Sequence, residues 1–227
     1  MKIIEPYIKL EDNINGEEIL KKIERIGRVC YKSENNMKEG SAERFVSNLI
    51  NRHHESVLEH VSISVRVICD RGVSHEIVRH RLASYSQESS RYCNYSNDKF
   101  GNELTFIKPC WFKSNVEDFN EYVNNDNYTV GLSANELNWI ALMIEIEDLY
   151  SFFIDNNWTP EEARSILPNS IKTEIVMTMN LREWRHFFKM RCDKAAHPQM
   201  RQVANMILDT FKEKIPVIFN DIEKGAE

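Results

Sequence analysis

VSISVRVICDRGVSHEIVRHRLASYSQESSR occupies residues 61–91 and changes period midway. Val61, Ile63, Val65 and Val67 alternate with Ser62, Ser64 and Arg66, so one face of a strand can be buried while the other stays wet. From Gly72 to Leu82 the spacing is that of a short helix, with Val73, Ile77, Val78 and Leu82 on one broad apolar arc. The polar run that follows, SYSQESSRYCNYS, has no clear period.

The alternation of helix and strand continues outward from this stretch. Glu17 to Tyr31 carries Ile19, Leu20, Ile23 and Ile26 at helical spacing, and Ala42 to Arg52 forms a second amphipathic helix. Glu103 to Ile107 reads as a strand, Ser114 to Asn127 as an exposed excursion and Ser133 to Asp155 as a long helix. Thr159, Pro160, Glu161 and Glu162 are a helix start: a capping hydroxyl, then proline, then acids in the first turn. Thr173 to Met179 alternates like a strand, and helices are expected over Leu181 to Cys192 and Gln199 to Lys214. Mixed α/β or α+β follows. No repeat or linker divides the chain, so one domain over residues 1–227 is expected.

The formal net charge of −6 is unevenly spread. Residues 114 to 163 hold eleven Asp and Glu and no Lys or Arg, while the other 177 residues hold 29 basic against 24 acidic side chains. Any anion site therefore belongs outside the acidic segment. The overall acidity argues against polymeric nucleic acid and anionic membrane as partners. Five cysteines without a CxxC read as reduced thiols. The N-terminus lacks an apolar signal core, and Leu137 to Phe153, broken by Glu145, Glu147 and Asp148, is too short and charged to span a bilayer. The expected compartment is the cytoplasm.

The densest polar chemistry is Arg79-His80-Arg81, followed after seven residues by Ser89 and then Arg91. Helical phase puts Arg81 inside the apolar arc, where a guanidinium needs a buried partner or a bound anion. Arg79 and His80 point the other way, beside His75 and Glu76. Cations offsetting a helix dipole, with a Glu76 to Arg79 pair, would explain Arg79 alone. Gln87, Ser89 and Arg91 extend the donors into a loop, which suits a phosphate and a flat polar heterocycle. In Leu181 to Cys192, Trp184, Phe187 and Phe188 share a face opposite Arg182, Arg185, His186 and Lys189, and Arg191 projects with the aromatics. It pairs with Asp193 or meets an anionic ligand. His53, His54, Glu55, Glu59 and His60 lack the HExxH spacing, so no metal is expected. Ser89 has no local base and reads as a hydrogen-bonding serine rather than a nucleophile. Neither GxGxxG nor a P-loop is present.

RHR, seven residues and a serine, here RHRLASYSQESSRY, resembles the signature of the flavin-dependent thymidylate synthases. The resemblance extends to HESVLEH upstream, and to PEEARSILP, NLREWRHFFKMR and the segment ending at His197 downstream. It implies a homotetramer of an α/β fold with a central mixed or antiparallel sheet flanked by helices, unrelated to the classical thymidylate synthase, with active sites shared between subunits. It further implies methylation of dUMP to dTMP with 5,10-methylenetetrahydrofolate as carbon donor and reducing equivalents passed from NADPH through FAD. By matched position, Glu76, Arg79, Gln87, Glu88, Ser89, Ser90, Arg91, Arg164 and Arg191 would contact dUMP. Arg191 would be catalytic, favouring the N3-deprotonated uracil. Ser56, Arg79, His80, Arg81, Gln87, Asn180, Arg182, His186 and His197 fall where the family binds FAD. No cysteine matches a covalent nucleophile. The competing readings are a non-enzymatic nucleotide or RNA-binding module, opposed by arginines embedded rather than striped on a surface, and a metal hydrolase built on His54, His60 and His80.

Overall fold

The computed structural model describes residues 1–95, 101–124 and 131–225. Its strands and helices, in chain order, begin with β1 (Lys2–Ile4), β2 (Tyr7–Leu10), α1 (Gly16–Arg28) and α2 (Ser41–Asn51). The motif region follows as β3 (Ser62–Asp70), α3 (Arg71–Ile77) and β4 (Ala83–Gln87). Next come β5 (Thr105–Ile107), α4 (Val116–Asn124), α5 (Ala134–Asp155) and α6 (Pro160–Ala163). The chain finishes with β6 (Lys172–Asn180), α7 (Leu181–Arg191), α8 (Pro198–Lys214) and α9 (Pro216–Phe219). Short 3-10 turns occupy Val29–Tyr31, Glu34–Asn36, Glu55–His60 and Arg164–Ile166. Strands β2, β3, β6 and β4 hydrogen-bond in that order, and β1 pairs with β5 in a separate two-stranded sheet. The long strands keep the alternation seen in the sequence: Ile63, Val65 and Val67 on β3 and Thr173, Ile175, Met177 and Met179 on β6 are buried. An α/β fold results.

The chain forms two compact units. The first comprises Met1–Tyr7, Ile68–Val78 and Ser86–Ile175. In it β1 runs parallel to β5, with Ile3 opposite Phe106, and Phe106 also bridges Ile171 in antiparallel fashion. Leu104, Phe106, Met143, Tyr150, Ala163 and Ile171 form its core, extended by Ile3, Phe119 and Ile140. The exposed excursion expected from Ser114 to Asn127 is instead helix α4 as far as Asn124; residues 125–127 lie outside the described part. Phe119 is fully buried, and the Asn120 amide accepts from the Ile3 N–H and donates to the Ile3 carbonyl, each at 2.9 Å. A polar side chain thus supplies the rung that a further strand would have given to β1. Nothing in the asparagine-rich composition announces this.

The second unit comprises Ile8–Val67, Arg79–Tyr85 and Val176–Glu227. There α1 packs on α2, and α7 packs on α8 and on the Glu55–His60 turn. A β-carbon at Gly27 would stand 2.8 Å from the Phe45 ring, so glycine sets the close approach of α1 to α2. Trp184, Phe187, Phe188, Phe211 and Phe219 are all fully buried, mostly edge to face.

Helix α3 ends at Ile77, well short of the expected Leu82. Val78 caps it, and Ala83–Gln87, expected to be irregular, pairs as β4 instead. Sheet pairing overrides the local helical spacing here, and the last two apolar residues of the supposed arc face solvent, Leu82 at 73% exposure.

The longest helix, α5, starts from a full capping box. Ser133 accepts from the Glu136 N–H, while Glu136 accepts from the Ser133 N–H and hydroxyl and from the Ser114 N–H. Burial works against ionising Glu136, but these hydrogen bonds outweigh it and hold the carboxyl at about 2. Among the described residues no helix is long and apolar enough to cross a membrane. Ser133→Ala should destabilise the protein by about 1 kcal/mol in urea denaturation. Because the depressed carboxyl contributes stability that is lost as pH falls from 4.5 towards 2, the variant should also lose less on acidification across that range.

Candidate active site

In the first unit, the loop after β4 is anchored from below. The Gln87 side-chain NH2 donates to Ser74 Oγ at 3.0 Å and to Thr173 Oγ1 at 3.2 Å, both buried. Glu88 takes a hydrogen bond from the Tyr95 hydroxyl at 2.7 Å and an ion pair from Lys172 at 2.6 Å, so its negative charge is compensated inside the fold. The chain then turns, with the Tyr92 and Cys93 N–H groups donating to the Ser89 carbonyl. Ser90 is buried, and its hydroxyl accepts from Arg164 at 3.4 Å. Arg91 pairs with Glu161 across 3.0 Å, both half-exposed.

A pocket of about 390 Å³ opens here, lined among others by Arg71, His75, Ser90, Tyr95, Arg164 and Asn169. Arg71 and Arg164 have no carboxylate partner among the described residues, so the pocket holds uncommitted guanidinium forks. Arg71 and His75 were not singled out as site residues from the sequence. The available signal was local: Asp70 caps α3 by accepting from the Val73 N–H at 2.7 Å, which places Arg71 in the first turn, and its N–H donates to the Asn169 and Ile171 carbonyls. Glu76 lies on the same helix, partly buried, and does not line the pocket.

In the second unit the arginine phases depart from expectation. Arg79 and Arg81 are both exposed, and His80, expected to point outward, is 5% exposed. The helical argument for Arg81 fails because α3 has already ended. Exposed Arg79 and Arg81 also remove the objection to a nucleotide or RNA surface that rested on embedded arginines. On α7 the buried arginine is Arg185, at 2% exposure, which was expected on the solvent face. Its guanidinium makes a two-pronged contact with Asp221 at 2.6 and 2.7 Å, reaches Glu55 at 3.1 Å and also donates to the Ile218 carbonyl. The partner in the C-terminal segment is invisible to helical periodicity.

Arg191 is partly buried, and its Nε donates to His80 Nε2 at 2.9 Å. The other ring nitrogen, Nδ1, lies 3.6 Å from Glu183 Oε1. Burial first, then the neighbouring Arg191 and His186, push His80 down to about 4, so the ring is neutral at ordinary pH. A groove of about 600 Å³ is lined by Glu55, Leu82, Asn180, Arg182, His186 and Lys189 among others. Asn180 caps α7 by accepting from the Glu183 N–H, and Arg182 pairs with Glu59 at 2.6 Å, both exposed. Ser56 and His197 are exposed, on the Glu55–His60 turn and just before α8. Cys192 is buried, which pushes its thiol up to about 12, far from a ready thiolate.

His80, Glu183 and His186 bring ligand-type atoms within 4.8 Å of one another. Among the described residues this is the one such group, and the His53 to His60 run does not form another. The residues expected to meet substrate thus gather largely in the first unit and those expected to meet cofactor largely in the second. Arg79 and Arg191 are substrate candidates in the second, and Gln87 is a cofactor candidate in the first.

Residues 11–217 match the family model described as thymidylate synthase complementing protein. The flavin-dependent thymidylate synthase of Pyrococcus furiosus is 32% identical over 189 residues, covering 83% of this chain and 70% of that protein. That of Geobacter sulfurreducens is 31% identical over 209 residues, covering 88% and 80%. That of Mycolicibacterium gilvum is 31% identical over 228 residues, covering 97% and 86%. The crystal structure of a UMP/dUMP methylase, PolB, from Streptomyces cacaoi, bound with 5-Br dUMP, superposes with a TM-score of 0.72 over 97% of this chain and 96% of that one. At 21% identity, that likeness concerns the fold. The chain belongs to the flavin-dependent thymidylate synthase family.

The two arginines on α7 should separate in urea denaturation. Arg185→Ala removes the partner of a buried ionic network and should cost about 3–5 kcal/mol. Arg182→Ala breaks an exposed pair and should cost no more than about 0.5 kcal/mol. Equal losses would contradict the burial pattern. His80 yields a pH test. Below its ordinary value of 6.5 the unfolded chain takes up a proton that the folded ring refuses until about 4, so stability falls with pH through that window. His80→Asn should flatten that limb, as read from urea midpoints taken at stepped pH.

Proposed function

We propose that the chain, acting as one domain over residues 1–227, methylates dUMP to dTMP. The carbon comes from 5,10-methylenetetrahydrofolate and the reducing equivalents from NADPH through FAD. The observation that carries this reading is the uncommitted arginine chemistry of the first unit, set beside membership of the family. A pocket of about 390 Å³ is lined by Arg71, by Arg164 and by the buried Ser90 that Arg164 reaches, and the carboxylate in its lining, Glu161, pairs with Arg91 rather than with either of these arginines. A nucleotide phosphate supplies what they lack, and Arg91, paired only at the surface with Glu161, is free to turn to it. Ser89 and the adjoining backbone complete the hydrogen bonding around the nucleotide.

FAD fits the donor set of the second unit. The groove beside α7 presents Asn180, Arg182, His186 and Lys189, and Leu82 ties it to the exposed Arg79 and Arg81 of the same segment. Guanidinium forks, an ammonium and an imidazole suit a pyrophosphate with a flat ring system. These residues, with Ser56, His80 and His197, hold the cofactor, which when bound supplies the hydride chemistry.

Arg191 acts on the substrate ring. A guanidinium near uracil O4 and N3 stabilises the anion and lowers the N3 pKa, which loads electron density onto C5 for attack on the one-carbon unit. Cys192, beside Arg191, is not poised to add to C6, since burial pushes its thiol up to about 12. The working form is a homotetramer in the cytoplasm, with active sites shared between subunits.

The purified chain should bind FAD, show flavin absorbance, and release tritium from 5-tritiated dUMP only when folate and NADPH are both supplied. Arg164→Ala should raise KM for dUMP about tenfold or more, the worth of a charge-assisted hydrogen bond. A colourless protein that releases no tritium under these conditions would overturn the reading.

A further inference from the structure

Arg191 stands in the last turn of α7 and Glu183 in the first, too far apart on the helix to meet directly. His80, from the segment before β4, bridges them: Nε2 lies 2.9 Å from Arg191 Nε, and Nδ1 lies 3.6 Å from Glu183 Oε1. We propose that Glu183 is a positioning residue for Arg191 and acts by selecting the tautomer of His80. This rests on the reading of Arg191 as the group that ionises the substrate ring.

The tautomer of His80 follows from which atoms can donate. Arginine Nε carries a hydrogen and has no lone pair to offer, so His80 Nε2 must present its own lone pair to it. A neutral imidazole then keeps its single proton on Nδ1, the nitrogen that faces Glu183. Burial, together with Arg191 and His186, holds the ring neutral. The Glu183 side chain is 10% exposed and accepts no hydrogen bond among the described residues. Its position beside Nδ1 therefore defines what it does: a carboxylate there favours a proton on that nitrogen and disfavours it on Nε2. In the opposite tautomer two hydrogens would face each other between His80 and Arg191, and the guanidinium would swing away.

Other groups close the ring in place. The Phe187 ring lies 4.9 Å from it and the His186 ring 6.1 Å, and the Tyr85 hydroxyl donates to the His80 carbonyl at 2.6 Å. Because the imidazole cannot turn over freely, the choice of tautomer becomes a choice about Arg191. Carboxylate, imidazole and guanidinium form a relay in which only the last member touches substrate.

The test uses 5-fluoro-dUMP bound to the FAD-loaded full chain and follows its fluorine resonance, which moves when N3 loses its proton. In the wild type, N3 should ionise at lower pH than in the free nucleotide. Arg191→Ala should abolish that shift. Glu183→Ala should lose at least half of it and lower kcat about tenfold, as removal of an orienting outer partner does elsewhere, with KM for dUMP little changed. Glu183→Gln, whose amide oxygen keeps a lone pair facing Nδ1–H, should restore most of the shift and also keeps the test open if the alanine variant does not fold.

If Arg191→Ala removes the shift while Glu183→Ala keeps it, the relay is wrong and the role of Arg191 stands. If Arg191→Ala leaves the shift intact, the reading of Arg191 fails and the relay with it. A glutamine variant no better than alanine overturns tautomer selection. Binding of one equivalent of added ZnCl2 by the wild type, lost in Glu183→Ala and in His186→Ala, would reassign the cluster as a metal site and likewise overturn the proposal.

Discussion

The indole of Trp184 is buried completely, and its single N–H donates to the Ile63 carbonyl of β3 at 3.1 Å. Burying an aromatic ring of this size is worth roughly 4–6 kcal/mol in transferred area, an upper bound, and the hydrogen bond fixes both rotation and depth. Once Trp184 is seated, the phase of α7 is decided. Phe187 and Phe188 fall beside it, Phe188 against Phe211, and Arg185 is carried inward to meet Asp221. Arg182, His186 and Lys189 are left on the groove side, and Arg191 arrives at His80. One packing contact thus orients a helix whose polar residues have three different destinations.

The basic side chains sort by the quality of their partners. Arg185 is itself buried, grips the Asp221 carboxylate in two prongs and also donates to a backbone carbonyl, and no ligand could draw it away at acceptable cost. Arg91 and Arg182 hold half-exposed carboxylates, in pairs worth 0–1 kcal/mol each, so a phosphate competes with them easily. Arg71, Arg79, Arg81 and Arg164 have no carboxylate at all among the described residues. The same residue type therefore stands in a buried network, in loose surface pairs and without any carboxylate. Burial and partner, rather than the residue, make the difference. Glu88, neutralised by Lys172, shows the complement: an acid can sit beside donor-rich residues such as Ser90 and Arg91 when its charge is already answered.

Local pattern foretold most elements. Alternation marked β3 and β6, helical spacing marked α1, α2, α5, α7 and α8, and the Thr159 and Ser133 caps both form full capping boxes. The misses share one cause. Helix α3 continues on paper to Leu82 because nothing before β4 breaks the period, yet the strand that ends it gains its hydrogen bonds from chain that is far away in sequence. Helix α4 hides in a polar run because its fully buried aromatic, Phe119, and the Asn120 bridge make sense only once β1 is beside them. Strands β1 and β2 are short, and a few residues of alternation do not stand out from their surroundings.

The sequence by itself determined the family, through RHR with a serine eight residues on, and the order of the longer strands and helices, because motif spacing and side-chain period are properties of the chain. It also marked which side chains are candidates for a site. Only the tertiary structure decided which of them are committed. His80 is buried and Arg81 is exposed, Arg185 rather than its neighbours is locked in an ionic network, and Arg71 joins Arg164 in one pocket. Burial and pairing depend on residues from distant segments such as Asp221 and Asn169, and a periodicity measured along one helix contains no information about them.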